Sequence, residues 1–166
     1  MNYGTEFKKY AMSDHSVSSS KLNYYEKQIE NSMTPYILEE REMRATQIDI
    51  FSRLMADRLL WVAGPVNDGM STIVQAQLMF LDSVDKKDIT MHIDSPGGSV
   101  KSGLSMVDVM DYIKSDIRTV NTGMAASMGS VLLGAGAKGK RSSLRHSTTM
   151  LHQSSGGFSG NIQDAE

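Results

Sequence analysis

The sequence predicts one α/β domain built around a largely parallel sheet. Short apolar segments that resemble buried strands alternate with segments whose apolar residues recur at helical spacing, about every 25 to 30 residues. The length of 166 residues, with 40% hydrophobic and 22% charged residues, fits a single globular domain with a core. Because strands joined through helices pair in parallel, the alternation indicates repeated βαβ units.

The strands are predicted from short apolar or alternating runs. RLLWVAG is an apolar run that ends in glycine, and DITMHID alternates apolar with polar residues before it meets SPGG. The predicted strands cover residues 58–64, 88–94, 116–123 and 147–152.

The helices are predicted from apolar residues spaced three and four apart. The first can be capped by Asn67 or Asp68, and Leu104, Val107 and Met110 lie on one face of the second. The predicted helices cover residues 67–85, 102–114 and 127–137.

Residues 1–33 are polar and rich in serine, and they contain no hydrophobic signal-peptide segment. We therefore predict a flexible N-terminal extension or propeptide over 1–33, a folded domain over 34–166, and a cytoplasmic protein.

Composition excludes several classes of function. A net charge of −2 and a pI near 6.1 produce no general attraction to nucleic acid or to anionic membranes. The absence of cysteine excludes disulfides, thiolate metal sites and a cysteine nucleophile, and no histidine spacing favours another metal site. We therefore expect no nucleic-acid partner, no membrane and no metal.

Two segments rich in small residues follow predicted strands, SPGGSV over 95–100 and GMAASMG over 123–129. In parallel sheets, binding sites form where strand ends meet helix starts. Ser127 begins a predicted helix, where a serine is usually a cap. It is a candidate nucleophile because adjacent amides, including those of Gly97 and Gly98, can stabilise an oxyanion. The sequence leaves both interpretations open.

A serine nucleophile needs a base that is poised near neutral pH. Of the four histidines, His152 is the best placed, since it ends a predicted strand. A surface histidine at a strand end is the ordinary alternative.

Four segments together resemble the proteolytic subunits of ATP-dependent Clp proteases, which are serine peptidases with a crotonase-like fold. They are IDIFSRLMADRLLWVAGPV (48–66), DSPGGSV (94–100), GMAASMGSVLLGAGAKGKR (123–141) and MLHQSSGG (150–157). The resemblance extends from about Met33 to Glu166 and implies that fold here.

The resemblance also implies roles for individual residues. Ser127 corresponds to the nucleophile and His152 to the general base. The implied oxyanion-hole amides belong to Gly97 and Met128. The implied substrate-binding residues, on two segments that flank an extended peptide, are Gly98, Val100 and Ser155.

The family resemblance implies partners as well. Its members form heptameric rings that stack in pairs, and an AAA+ unfoldase delivers unfolded proteins, whereas short peptides need no unfoldase. ATP is used by the unfoldase, so we expect no cofactor in this subunit. Residues 37–50 correspond to the family's axial loop, a mobile gate. Their charge pattern is equally compatible with the start of an amphipathic helix.

The chain departs from the family pattern at three places. Asp94 replaces an asparagine before SPGG, and Ser154 replaces a proline after Gln153. The family's third catalytic residue, an aspartate, follows a long handle helix, whereas this sequence stops at Glu166 and Asp164 comes too early. We therefore expect the handle helix and the aspartate to be missing from this chain, and the chain, if complete, to be a catalytically impaired or regulatory ring subunit.

Two enzyme classes compete with a peptidase. AASMG nearly matches the G-x-S-x-G motif of α/β-hydrolases, but Ala125 replaces the first glycine and the histidine comes too early. A crotonase-type acyl-CoA enzyme would use glutamates as acid and base, yet the sequence has none between Glu42 and Glu166. A non-catalytic ring component is the third alternative, and it predicts that fluorophosphonates do not label Ser127.

Overall fold

A computed structural model gives the architecture of the chain. It describes residues 9–10, 12–13, 18–20, 36–41 and 44–153, with the backbone alone described between 36 and 48. Ser155 and most of the predicted extension over 1–33 lie outside these ranges, so the predictions for them stay predictions.

The first regular structure in the described part of the domain is a hairpin. Strands β1 (Tyr36–Arg41) and β2 (Arg44–Asp49) pair antiparallel, and helix α1 (Ile50–Ala56) follows directly. Asp49 caps α1 by accepting a hydrogen bond from the Ser52 amide at 2.9 Å. Most of the segment 37–50 is therefore an extended hairpin rather than the start of a helix, and its role as a gate stays a prediction.

In the described ranges the central sheet has five strands, and every pairing among them is parallel. Strands β3, β4, β5 and β6 are neighbours in that order, and β7 also pairs with β5, so β6 and β7 follow one another along the same edge of β5. The strands are β3 (Leu59–Ala63), β4 (Ile89–Ser95), β5 (Ile117–Ala126), β6 (Arg141–Ser143) and β7 (Thr148–Met150). The prediction of a largely parallel sheet is confirmed.

Three helices connect the parallel strands at nearly the predicted positions: α2 (Asp68–Val84), α3 (Val100–Tyr112) and α4 (Met128–Gly134). Asn67 is the cap of α2, since its side chain accepts a hydrogen bond from the Met70 amide at 3.0 Å. Among the described residues, no helix is long and apolar enough to cross a bilayer.

The core lies between these helices and one face of the sheet. In β4 the buried residues alternate with more exposed ones, as expected for a strand whose two faces have different environments. The largest fully buried side chains include Val62, Ile73, Leu78, Leu81, Ile89, Met91, Ile93, Met106 and Leu132. On the opposite face, Trp61 stacks on His92 with ring centroids 4.6 Å apart.

Because the strands are parallel, their carboxyl ends meet at one edge of the sheet. Gly64 follows β3, the Pro96–Ser99 turn follows β4, and Ser127 follows β5. The ends of β4 and β5 therefore bring together the two segments rich in small residues, 95–100 and 123–129.

Candidate active site

Ser127 occupies the junction between β5 and α4. Its amide donates to the Met150 carbonyl at 2.9 Å, and its own carbonyl accepts hydrogen bonds from the Ser130 amide at 2.9 Å and the Ser130 hydroxyl at 2.6 Å. The Ser127 hydroxyl makes no capping hydrogen bond to α4. The Ser127 hydroxyl therefore does not cap the helix, which is the usual role of a serine at this position.

The backbone of Ser127 is strained. Its φ is 52° and its ψ is −121°, and among the described non-glycine residues only Arg58 also has a positive φ. Such conformations cost about 1–3 kcal/mol and persist where the surrounding structure enforces them, often at active sites. The sharp turn from strand to helix leaves the half-buried side chain uncapped at the carboxyl end of the sheet.

Gly97 brings the loop after β4 directly against this junction. A Cβ at Gly97 would lie 2.6 Å from the Ala126 carbonyl oxygen, 2.7 Å from the Ser127 Cβ and 2.8 Å from the Met128 nitrogen. The φ of +90° at Gly97 also favours glycine. The close approach that the sequence suggested for Gly97, Ser127 and Met128 is present.

The amides at this approach differ in their partners. The Gly97 amide donates to the hydroxyl of Ser95 at 3.1 Å, and that hydroxyl donates to the Gly64 carbonyl at 2.7 Å. The amides of Gly98 and Met128 find no acceptor among the described residues. The unengaged donors near Ser127 are therefore those of Gly98 and Met128, and the role predicted for Gly97 stays a prediction.

Gly98 also presents a free backbone edge. A parallel bridge joins it to Val66, in which the Val66 amide donates to the Gly97 carbonyl and the Ser99 amide donates to the Val66 carbonyl, both at 2.9 Å. The amide and carbonyl of Gly98 itself therefore point away from Val66. Val100 begins α3 and is 62% exposed. Gly98 and Val100 are thus accessible, as a substrate-binding segment requires.

His152 lies two residues beyond β7, the strand beside the serine, and not at the end of the strand as predicted, because β7 already ends at Met150. β7 pairs with β5 so that Met150 is opposite Ala126, and His152 follows two residues later. The ring is exposed, and its Nδ1 is 2.6 Å from the Gln153 carbonyl oxygen. In the described part of the chain, no hydrogen bond joins this ring to Ser127 or to a carboxylate. The strands bring the two residues to the same edge, and catalytic hydrogen bonds are often incomplete before substrate binds.

Asp94, one of the departures from the family pattern, contacts the backbone of Met124. Its Oδ1 accepts a hydrogen bond from the Met124 amide at 2.9 Å. A Cβ at Gly123 would lie 2.5 Å from the same oxygen, so the glycine makes room for the carboxylate. The side chain connects the ends of β4 and β5.

The family model for Clp proteases matches residues 40–166. The chain belongs to the Clp protease family. A curated relative from Bacteroides fragilis, strain YCH46, is named "ATP-dependent Clp protease proteolytic subunit" and is 50% identical over 162 residues, which cover 97% of this chain and 74% of the relative. A relative of the same name from Porphyromonas gingivalis is 46% identical over 97% of this chain and 73% of its own length. A "proteolytic subunit 2" from Bacillus licheniformis is 47% identical over 80% of this chain and 70% of its own length.

Membership of the Clp protease family confirms the fold class and the protease function predicted from the resemblance. It also decides against the two competing enzyme classes, because neither an α/β-hydrolase nor an acyl-CoA enzyme belongs to this family. The roles of the individual site residues stay predictions, although the structure gives the positions of those that it describes.

Several residues that build this Clp protease site gave no clear signal in the sequence. Ser95, which is fully buried, holds the Gly97 amide, and Val66 pairs with the Gly98 turn. Ser95 is adjacent to the Pro-Gly-Gly turn and could have been suspected as a turn hydroxyl. The role of Val66 could not have been suspected, because its pairing with Gly98 depends on how the loops after β3 and β4 lie against each other.

Proposed function

We propose that this chain is the proteolytic subunit of an ATP-dependent Clp protease, a serine endopeptidase that hydrolyses peptide bonds in unfolded proteins and in short peptides. The observation that carries the proposal is the strained, uncapped Ser127 beside the unengaged amides of Gly98 and Met128. The printed names of the relatives support it.

In this mechanism the Ser127 oxygen attacks the carbonyl carbon of the scissile bond, and His152 accepts the hydroxyl proton. His152 then donates that proton to the leaving amine, which releases the first product and leaves an acyl group on Ser127. Water, deprotonated by the same ring, hydrolyses the acyl-enzyme. The reaction needs no cofactor or metal in this subunit.

The negative charge that develops on the carbonyl oxygen needs two donors. Met128 supplies one, and the Gly97–Gly98 turn supplies the other. Within that turn Gly98 has the unengaged amide, because the Gly97 amide is held by the Ser95 hydroxyl. Such donors are typically worth about 10²–10³ each in kcat, because they are already oriented before the charge forms.

The substrate extends along the Gly98 edge. A backbone N–H of the substrate donates to the free carbonyl of Gly98, and Val100, together with Ser155 on the opposite segment, borders the peptide. Pairing of this kind recognises backbone groups, so many sequences are accepted.

The assembly follows from the same proposal. Copies of the chain form heptameric rings that stack in pairs in the cytoplasm, and an AAA+ unfoldase delivers unfolded chains to them at the cost of ATP. The ATP is consumed by the unfoldase, and the ring subunit contributes hydrolysis alone.

Substitution of Ser127 tests the proposal. We expect Ser127→Ala to abolish fluorophosphonate labelling and to lower the cleavage of a short fluorogenic peptide by about 10⁴-fold or more, because no other group replaces the nucleophile. Ser83→Ala is a matched control, since among the described residues the Ser83 hydroxyl bonds only to the Phe80 carbonyl of its own helix, at 2.7 Å. Cleavage that persists in purified Ser127→Ala would overturn the assignment.

A further inference from the structure

A chain of side-chain hydrogen bonds joins the start of α2 to the start of α3. The Ser102 hydroxyl lies 2.5 Å from Asp68 Oδ1 and 2.8 Å from the Ser99 hydroxyl. Ser102 has one hydroxyl proton, and the carboxylate is the stronger acceptor, so Ser102 donates to Asp68 and Ser99 donates to Ser102. Ser102 is 3% exposed, whereas Asp68 and Ser99 are at the surface.

This chain ends next to the proposed substrate edge. Ser99 directly follows Gly98 and caps α3, since its hydroxyl accepts a hydrogen bond from the Ser102 amide at 3.3 Å. Asp68 comes two residues after Val66, the residue whose backbone pairs with the Gly98 turn. The same short segment, 66–68, therefore holds the turn through its backbone and, by way of Ser102, through a side chain.

A second contact keeps Ser102 in place. The Ser71 hydroxyl donates to the Ser102 carbonyl at 2.7 Å, and the Gln75 amide donates to the Ser71 hydroxyl at 2.8 Å. The first turns of α2 and α3 are thus fixed to each other on the side of the helices, while Gly98 has no side chain to fix its own position.

We propose that Asp68 is a positioning residue that acts through Ser102 and Ser99 to hold the backbone of Gly98 in the orientation that pairs with substrate. The proposal rests on the proposed function. Capping of α3 requires Ser99 alone, so the link to Asp68 is additional to the cap. It couples the cap to the segment with which Gly98 pairs. An ångström of displacement at such an edge can cost about 100-fold in rate.

Two substitutions at one position separate the hydrogen bond from the charge. Asp68→Ala removes both the acceptor and a negative charge near the N-terminus of α2, whereas Asp68→Asn removes the charge and keeps an acceptor oxygen. Ser102→Ala breaks the chain at its centre. Ser105→Ala is the matched control, because in the part of the chain that the structure describes the Ser105 hydroxyl bonds only to the Lys101 carbonyl of α3, at 3.0 Å.

The kinetic test compares a fluorogenic tetrapeptide, which is long enough to pair with the Gly98 edge, with p-nitrophenyl acetate, which is not. In Asp68→Ala and Ser102→Ala we expect kcat/KM to fall about tenfold for the peptide, which needs both the amide and the carbonyl of Gly98. Ester hydrolysis, which needs only the Gly98 amide as an oxyanion donor, should fall less. Asp68→Asn and Ser105→Ala should retain most of the peptide activity. Equal losses on both substrates, or no loss on either, would overturn the proposal.

A measurement without substrate distinguishes this proposal from the function on which it rests. Amide hydrogen exchange over residues 97–100 should accelerate in Asp68→Ala and Ser102→Ala and be unchanged in Asp68→Asn, while exchange in β5 stays slow in all of them. If the wild-type protein hydrolyses neither substrate and Ser127 is not labelled, the proposed function fails, and the exchange pattern still decides the positioning role. Unchanged exchange over 97–100 in both disrupting variants contradicts it.

Discussion

The two ends of the parallel sheet are built from different chemistry. At the amino ends of the strands, long charged side chains bridge the loops. The Arg58 guanidinium donates to the carbonyls of Leu81, Asp85, Lys87 and Asp88 and to the Ser115 hydroxyl, at 2.7–3.3 Å. These bonds fix the loop between α2 and β4 to the end of α1.

Asp82 and Lys140 serve the same end. Asp82 Oδ1 accepts hydrogen bonds from the amides of Lys114 and Ser115 and from the Ser115 hydroxyl, and Lys140 contacts Asp88 at 2.7 Å and Asp116 at 2.9 Å. Burial alone would raise the pKa of Asp82, but hydrogen bonds from Lys86 and Ser115 hold this pKa below its usual 3.8.

At the carboxyl ends, by contrast, small residues and the backbone itself form the surface. Gly97 lies against Ser127, Gly98 pairs with Val66, and two amides have no acceptor among the described residues. The serine between them has a strained backbone. The comparison indicates that stability and reactivity are separated along the strands. Charged side chains hold the loops at the amino ends, while backbone amides at the carboxyl ends remain available as hydrogen-bond donors.

The largest effect is expected at Gly97, at the carboxyl ends of the strands, when a side chain is added where two backbone segments lie close together. Gly97→Ala places a Cβ 2.6–2.8 Å from backbone atoms beside Ser127, so either the loop or the serine must move. We expect peptidase activity to fall about 100- to 1,000-fold, as when one oxyanion donor is lost. Steady-state cleavage of a short peptide measures it.

Gly139→Ala is the control for this substitution. Gly139 has a φ of +80°, close to that of Gly97, but a Cβ there would have no atom of another described residue within 4 Å beyond its chain neighbours. Both variants carry the backbone strain of an alanine at positive φ, and only one carries the contact. Equal activity in the two would show that the close approach is not important for catalysis.

The second-largest effect is expected at Arg58, among the charged side chains at the amino ends of the strands. Arg58→Ala removes five hydrogen bonds from a half-buried guanidinium and should lower the free energy of unfolding by about 2 kcal/mol, with kcat/KM unchanged at temperatures where the protein is folded. Chemical denaturation and peptide cleavage measure the two quantities. Arg118→Ala, at an exposed position on β5, should change neither. A loss of activity in folded Arg58→Ala would mean that the two ends are not separate.

The smallest effect lies between the ends, at His92. Burial lowers the pKa of His92 below its usual 6.5, and its buried Nδ1 has no hydrogen-bond partner within the described residues. The unfolded chain therefore binds the proton more readily, and stability should decrease as the pH falls from about 6.5. Thermal unfolding of the wild type and of His92→Gln between pH 5 and 8 should show a shallower pH dependence in the variant. His146→Gln, in an exposed turn, should keep the wild-type dependence.

The order of strands and helices was predictable because each follows from a local pattern. The predicted strands 58–64 and 88–94 correspond to β3 and β4, and the meeting of Gly97 with Ser127 follows from the parallel arrangement. β6 was not predicted, because Arg-Ser-Ser has no apolar pattern and pairs only through its backbone. The predicted helix over 127–137 is shorter in the structure, and β5 is longer, reaching Ala126.

The candidate site was predictable only where side-chain chemistry marks it. Ser127 and His152 are recognisable by residue type and by the segments around them. Three other features depend on distances between loops that are separate in the sequence. They are the uncapped hydroxyl of Ser127, the hydrogen bond from the Gly97 amide to Ser95, and the link from Asp68 to Ser99. Sequence periodicity contains no information on such distances.

The parallel pairing of β7 with β5 determines when the site can exist during synthesis. β7 is the last strand that the structure describes, and its pairing positions the proposed base beside a serine that was translated earlier. A parallel pair cannot close as a local hairpin, so β5 must wait for a later part of the chain to return to it. On the ribosome, the proposed nucleophile Ser127 is therefore translated before its proposed base can lie beside it, and we expect peptidase activity only after this late folding step.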